Sequence, residues 1–295
     1  MPVLPAADRA DRSHLPAGQR LPAGAVLLND RHPALTAPLR SGRLDRDELE
    51  ITGRLLSASN ATFLGQLRTD GLDLACVYKP TQGERPLWDF PTDTLGRREV
   101  AAYEVSRAAG FDCVPVTVFV DGPLGPGSLQ VWVESEDDAV ARLVDLVPSR
   151  KVPKHGWFRC VEGLAADDSA VAVIHADDPD LRRLAVFDVL VNNADRKGGH
   201  ILSSEGHLFG IDHGVTFNVE NKLRTLLWGW GGSELDDTER DLVTRARDEA
   251  PAVLVGLLDD EEIDVFTRRA DRLLERNRLP RPPRGQWPSI PWPPF

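Results

Sequence analysis

The chain has 295 residues, 41% of them apolar and 27% charged, which supplies a core of useful size and excludes a disordered, collagen-like or coiled-coil chain. A prior of ~150 residues per domain gives two domains, or one enzyme with two lobes. Thirty-five Lys and Arg against 46 Asp and Glu leave a net charge of −11. Such a surface binds nucleic-acid backbone poorly, because basic groups must replace its counterions.

Residues 1–45 are rich in Pro, Ala, Gly, Asp and Arg and read as a loosely ordered arm. The start is soon interrupted by Asp8, Arg9, Asp11 and Arg12, which is no signal peptide. No run approaches the ~18 apolar residues of a membrane helix. The expectation is a cytoplasmic protein with no integral membrane association.

Residues 46–135 read as strands with one helix. Ile51–Leu56, the turn Ser57-Ala58-Ser59-Asn60 and Thr62–Leu67 form a hairpin, and Leu72–Tyr78 a third strand. Leu95–Ala109 is predicted helical, with Asp93 or Thr94 as cap and Gly110 as stop. Val114–Val120 and Ser128–Glu134 complete five strands. Residues 136–278 read as mainly helical. Leu181, Leu184, Phe187 and Val191 recur at helical spacing, a short hairpin spans 200–211, and helices follow near 234–248, 251–258 and 260–276. Residues 279–295 hold seven prolines and two tryptophans, Trp287 and Trp292. Prolines at that density form neither helix nor sheet interior, and the aromatic residues suggest a tail docked on the body. The expected class is α+β: a β-rich lobe, a mainly helical lobe, and a cleft between them where a nucleotide sits.

Cys76, Cys113 and Cys160 stand 37 and 47 residues apart, without metal-ligand spacing, and read as reduced thiols. The chemistry concentrates elsewhere. In Asn193-Ala194-Asp195-Arg196-Lys197-Gly198-Gly199-His200 a carboxylate follows a buried helix, and the hairpin brings Asp212-His213-Gly214 back beside it. Two carboxylates at a cleft suit phosphoryl transfer, one on the acceptor side and one holding Mg²⁺. Lys79 ends an apolar strand, where an unpaired ammonium is costly. The helix about 20 residues on offers Glu99 or Glu104 as its partner, the kinase arrangement for gripping α/β-phosphates. Ser57, Ser59 and Asn60 stand where a phosphate-covering loop would lie. Val131, Trp132 and Val133 stand at the junction of the halves, where backbone groups could meet adenine.

This order of motifs resembles the phosphatidylinositol 3-/4-kinase superfamily of atypical kinases, in an actinobacterial branch, over about residues 50–235; HipA-like kinases share the plan. The resemblance implies a bilobal protein-kinase-like fold and an ATP-dependent phosphotransferase using Mg²⁺ or Mn²⁺. Asp195 and Arg196 match the start of the family's D-R-x-x-x-N catalytic loop, with Lys197 next to them, and Asp212 and Gly214 match its D-F-G metal motif. Arg97–Val118 looks like the helix and following strand of type II phosphatidylinositol 4-kinases, with Glu99 at the family's glutamate. His200 replaces the metal-binding Asn, and imidazole suits Mn²⁺ better than Mg²⁺. His213 replaces the Phe. The basic run that reads anionic lipid is missing, so the expected acceptor is a protein or small molecule rather than a lipid. The rival readings are a nucleotide-binding pseudokinase that acts by contact, and an AMP transferase on the same scaffold.

Overall fold

Alternation of inward and outward side chains builds the first sheet of the computed structural model, which describes residues 48–55, 60–69, 72–135, 140–165, 167–283 and 289–295. Strands β1 (Leu49–Leu55), β2 (Thr62–Thr69), β3 (Leu72–Pro80), β4 (Thr117–Gly122) and β5 (Gly125–Val131) pair antiparallel in the order β1-β2-β3-β5-β4. The register sets Cys76 opposite Gly65 on one side and Val131 on the other, and Lys79 opposite Ser128. Helix α1 (Leu95–Ala109) packs on this sheet, with Ala101, Ala102 and Val105 fully buried. It stops at Gly110, whose φ of 77° is left-handed and whose N–H returns to the carbonyls of Arg107 and Ser106. Thr94 makes no side-chain cap; the Glu84 carboxylate instead accepts from the N–H groups of Leu95 and Gly96, at 3.1 and 2.8 Å.

The second half departs from a mainly helical reading. Strands β6 (Val144–Pro148), β7 (Trp157–Leu164) and β8 (Ala170–Ala176) form a separate antiparallel sheet, ordered β6-β8-β7. Its central strand runs Val171-Ala172-Val173-Ile174 with every residue buried, so it carries no alternation to betray it. Helix α2 (Pro179–Val191) follows, capped by the Asp178 carboxylate and opened by Pro179. Its fully buried Leu181, Leu184, Phe187 and Val191 face the core. Asn192, at φ 54°, ends it. The hairpin β9 (Ile201–Ser204) and β10 (His207–Gly210) comes next. The two predicted helices near 234–248 and 251–258 are one helix, α3 (Asp237–Leu254), which admits Pro251 in its last turns. Helix α4 (Asp260–Arg276) closes the set. Both begin with a capping box, Asp236 with Glu239 and Asp259 with Glu262.

The architecture is therefore α+β, with antiparallel sheets and, among the described residues, four α-helices. None of these is long and apolar enough to cross a membrane. The predicted arm at 1–45, the loop residues Ser57 and Ser59, and Trp287 lie outside the described residues.

Candidate active site

Strand β3 delivers Lys79, α1 delivers Glu99, and the loop after β10 delivers Asp212. Lys79 Nζ lies 2.5 Å from Glu99 Oε1 and 2.9 Å from Asp212 Oδ1. Glu99 is almost sealed, at 4% side-chain exposure, whereas Asp212 is half open at 47%. The second Glu99 oxygen accepts the His213 N–H at 2.8 Å, which ties the helix to the Asp212 loop. Asp212 holds φ at 60°, a left-handed conformation that aspartate adopts more readily than most residues. Burial alone would lower the Lys79 pKa, but the two carboxylates outweigh it and raise it above the usual lysine range. The Lys79 ammonium holds the Asp212 carboxyl far below the ordinary carboxylate range. Burial pushes Glu99 upward against the pull of Lys79.

The α2–β9 connection meets this group through His200. Asp195 is fixed by its backbone: its N–H donates to Asn193 Oδ1 and its carbonyl receives His200 Nδ1, each at 2.9 Å. Its carboxylate is 31% exposed, 3.0 Å from Lys197 Nζ. A carbonyl only accepts, so His200 Nδ1 carries the proton. Burial lowers the His200 pKa and keeps the ring neutral. Nε2 therefore presents a lone pair to Asp212 Oδ2, 3.3 Å away. Two acceptor atoms therefore face each other across the gap between the Asp195 loop and Asp212.

Arg196 does not join this site. Its side chain and that of Asp188 are wholly buried. The guanidinium is spent on the Asp188 carboxylate, the carbonyls of His200 and Ile211 at 3.0 and 2.9 Å, and His213 Nε2 at 2.7 Å. Arg196 is thus a positioning residue, a correction to its expected catalytic place: it clamps both ends of the 200–211 hairpin from behind. Gly210 makes room for it, since a Cβ there would press on the guanidinium.

The expected adenine residues are only partly free. The Val131 N–H goes to Val116 O and the Trp132 N–H to Ala75 O, each at 2.9 Å, so the sheet has consumed both amides. Among the described residues the Val133 amide is left uncommitted. Asn60 Oδ1 accepts the Arg85 N–H at 2.9 Å, and the Ala61 N–H reaches Gly83 O at 3.1 Å, so the hairpin is pinned to the turn before α1. The cysteines stay outside the chemistry: Cys76, Cys113 and Cys160 are free, and burial pushes each thiol up to about 12.

Sequence reasoning passed over Arg98, next to Glu99. Its buried guanidinium reaches Glu262 on α4, the Thr216 carbonyl at 2.7 Å and the Phe90 ring at 5.0 Å. A buried arginine requires such partners, and the signal for it was two adjacent charges, Arg98 and Glu99, immediately before the apolar run Val100-Ala101-Ala102-Tyr103.

No family model matches the chain. Protein Rv2133c of Mycobacterium tuberculosis is 47% identical to it over 260 residues, covering 84% of this chain and 92% of the relative. Similarity at that level over nearly the whole of both sequences means that the chain belongs to the same family as Protein Rv2133c.

Proposed function

We propose that the chain is an ATP-dependent phosphotransferase with a bilobal, protein-kinase-like arrangement, related in plan to the phosphatidylinositol 3-/4-kinase superfamily. The observation that carries this reading is the Lys79 ammonium held between Glu99 and Asp212. Residues 20 and 133 positions away converge on one cation, and each is of the type that phosphoryl transfer employs. Glu99 orients Lys79 from α1. Lys79 exchanges its contact with the half-open Asp212 for the α/β-phosphates. The Val133 amide, uncommitted among the described residues, is the donor for adenine, with Val131 and Trp132 beside the ring. Asp195, accessible on the acceptor side, orients the attacking group and accepts its proton, and Lys197 keeps that carboxylate in place.

Asp212 and His200 fit a divalent cation. Their facing acceptor atoms, 3.3 Å apart, need positive charge between them. Among the described residues no group of three or more His, Cys, Asp or Glu side chains forms a metal cage, and two protein ligands suit an ion that takes its remaining oxygens from phosphates and water. The imidazole favours Mn²⁺ over Mg²⁺. Such an ion supplies charge neutralisation at the transferred phosphate.

Thermal unfolding tests the nucleotide site. ATP with Mn²⁺ raises the Tm if it binds the folded chain alone, and Lys79→Ala abolishes that rise. An equal rise in the variant removes Lys79 from the site. Product mass then separates the chemistries: phosphate gained for a kinase, AMP gained for an adenylyl transferase, and no product despite binding for a pseudokinase.

A further inference from the structure

The segment Ser289–Phe295 runs along the loop that carries Asp195. The Gly198 N–H donates to the Pro294 carbonyl at 2.9 Å. The Phe295 ring occupies the space where a side chain on Gly198 would stand, so a Cβ there would collide with it. Earlier in the segment lies a second anchor: the Ser289 carbonyl accepts the Thr225 N–H at 3.2 Å and Trp228 Nε1 at 2.9 Å. Pro291 and Pro294 are buried, and Ile290 and Phe295 pack against the main core. Thr225 itself bridges to Arg196, and the Arg196 backbone bonds to Arg224 O and the Leu226 N–H at 3.0 and 3.2 Å. The loop is thus held by 224–226 at Arg196 and by the tail at Gly198.

We propose that residues 289–295 are a positioning strap for the loop carrying Asp195, with Phe295 as its key. The loop needs one. Gly198 and Gly199 lack side chains to restrict their backbone, yet His200, the next residue, must hold the Asp195 carbonyl at 2.9 Å. The tail closes a hydrogen bond and fills the vacancy at Gly198. It does not plug the site: with the tail docked, Asp195 is 31% and Asp212 47% exposed. The contact stands on geometry alone; its effect on turnover rests on the phosphotransferase reading, where displacement of a reacting group by about 1 Å costs up to about 10²-fold in rate.

The experiment uses the full chain with Phe295→Ala and Phe295→Leu. Hydrogen exchange over residues 196–200 reads the strap directly: Phe295→Ala speeds exchange there by about tenfold or more, and Phe295→Leu returns it toward wild type. Transfer from γ-labelled ATP reads its consequence: Phe295→Ala lowers kcat by about 10- to 10²-fold with the KM for ATP unchanged, because its ring stands against Gly198, in the loop that carries Asp195. Unchanged exchange overturns the proposal. So does faster transfer, which would make the tail a cover. If the wild-type chain transfers nothing, the phosphotransferase reading fails by itself, and the exchange result still decides the strap.

Discussion

Two charged clusters share the loops 195–200 and 211–213, and their construction is opposite. Behind the loops, Arg196, Asp188, Asn193 and His213 are fully buried, and Asp188 is bonded to both Arg196 and Asn193. On the open side, Lys79, Asp212, Asp195 and Lys197 keep 22% to 47% of their side chains in solvent. A sealed network fixes backbone, since its buried charges must keep their partners. A half-open ion pair can trade a partner for a ligand, since water and incoming oxygens are at hand. Reactive groups backed by a rigid buried network divide what must move from what must not.

Breaking the sealed cluster has the largest effect. Asp188→Ala leaves a buried guanidinium uncompensated and lowers stability by about 3–5 kcal/mol in urea unfolding. A loss below about 1 kcal/mol would mean that the buried guanidinium finds another partner. In the open cluster the effect falls on rate. On the phosphotransferase reading, Asp195→Asn keeps nucleotide binding and cuts transfer by about 10²–10⁴-fold, while Asp212→Asn loses both. Equal transfer by Asp195→Asn would place the base elsewhere.

A third buried group sharpens the contrast through pH. His175 is sealed against Phe158 and Trp230, donates from Nδ1 to the Ala176 carbonyl and accepts the Gly229 N–H at Nε2. Burial lowers its pKa from 6.5 to about 4. The unfolded chain therefore binds this proton first, so the stabilising contribution is complete above the unfolded value and is lost as pH falls from 6.5 toward 4. Between pH 7 and 5 the loss is about 2 kcal/mol. His175→Gln flattens that slope in urea unfolding at the two pH values; an unchanged slope assigns the acid sensitivity to other groups. The smallest effect belongs to the exposed pair Arg278–Glu234, 57% and 63% open. Arg278→Ala changes stability by less than about 1 kcal/mol, and a larger loss would show that exposure does not separate the clusters.

Local signals carried much of this fold into the sequence. Helix α1 spans the predicted Leu95–Ala109 and ends at Gly110 because its buried face and its stop lie within one stretch, although the cap expected at Asp93 or Thr94 is supplied by Glu84 instead. The 200–211 hairpin was legible for similar reasons, whereas the tail, expected over 279–295 to dock through its tryptophans, leaves Trp292 exposed and packs through Ile290 and Phe295. The β6–β8 sheet was not, because β8 is buried on both faces and reads as an undifferentiated apolar run, although its β-branched Val171, Val173 and Ile174 between Ser169 and His175 were a strand signal. In the candidate site, the convergence of Lys79, Glu99 and Asp212, and of His200 with the Asp195 loop, was legible by type and order. The work of Arg196 was not, since burial decides whether an arginine meets a substrate or its own scaffold. Arg98 and Asp188 escaped because their meaning lies in partners that only the folded chain brings to them: Glu262 is 164 positions from Arg98.

The borrowed cap on α1 sets an order in time. Helices α3 and α4 carry their own capping boxes, so their first turns close from neighbouring residues as soon as the chain collapses. The first turn of α1 waits for Glu84, and the turn holding Glu84 is fastened to the hairpin through Ala61 and Gly83. Nucleation is the costly step for any helix, and contacts that close longer loops form later. In refolding, pulse-labelled amides of α3 and α4 gain protection before those of Leu95 and Gly96. The Lys79–Asp212 contact, which closes 133 positions of chain, is then among the last made, and a newly made chain completes its body before it acquires its candidate site.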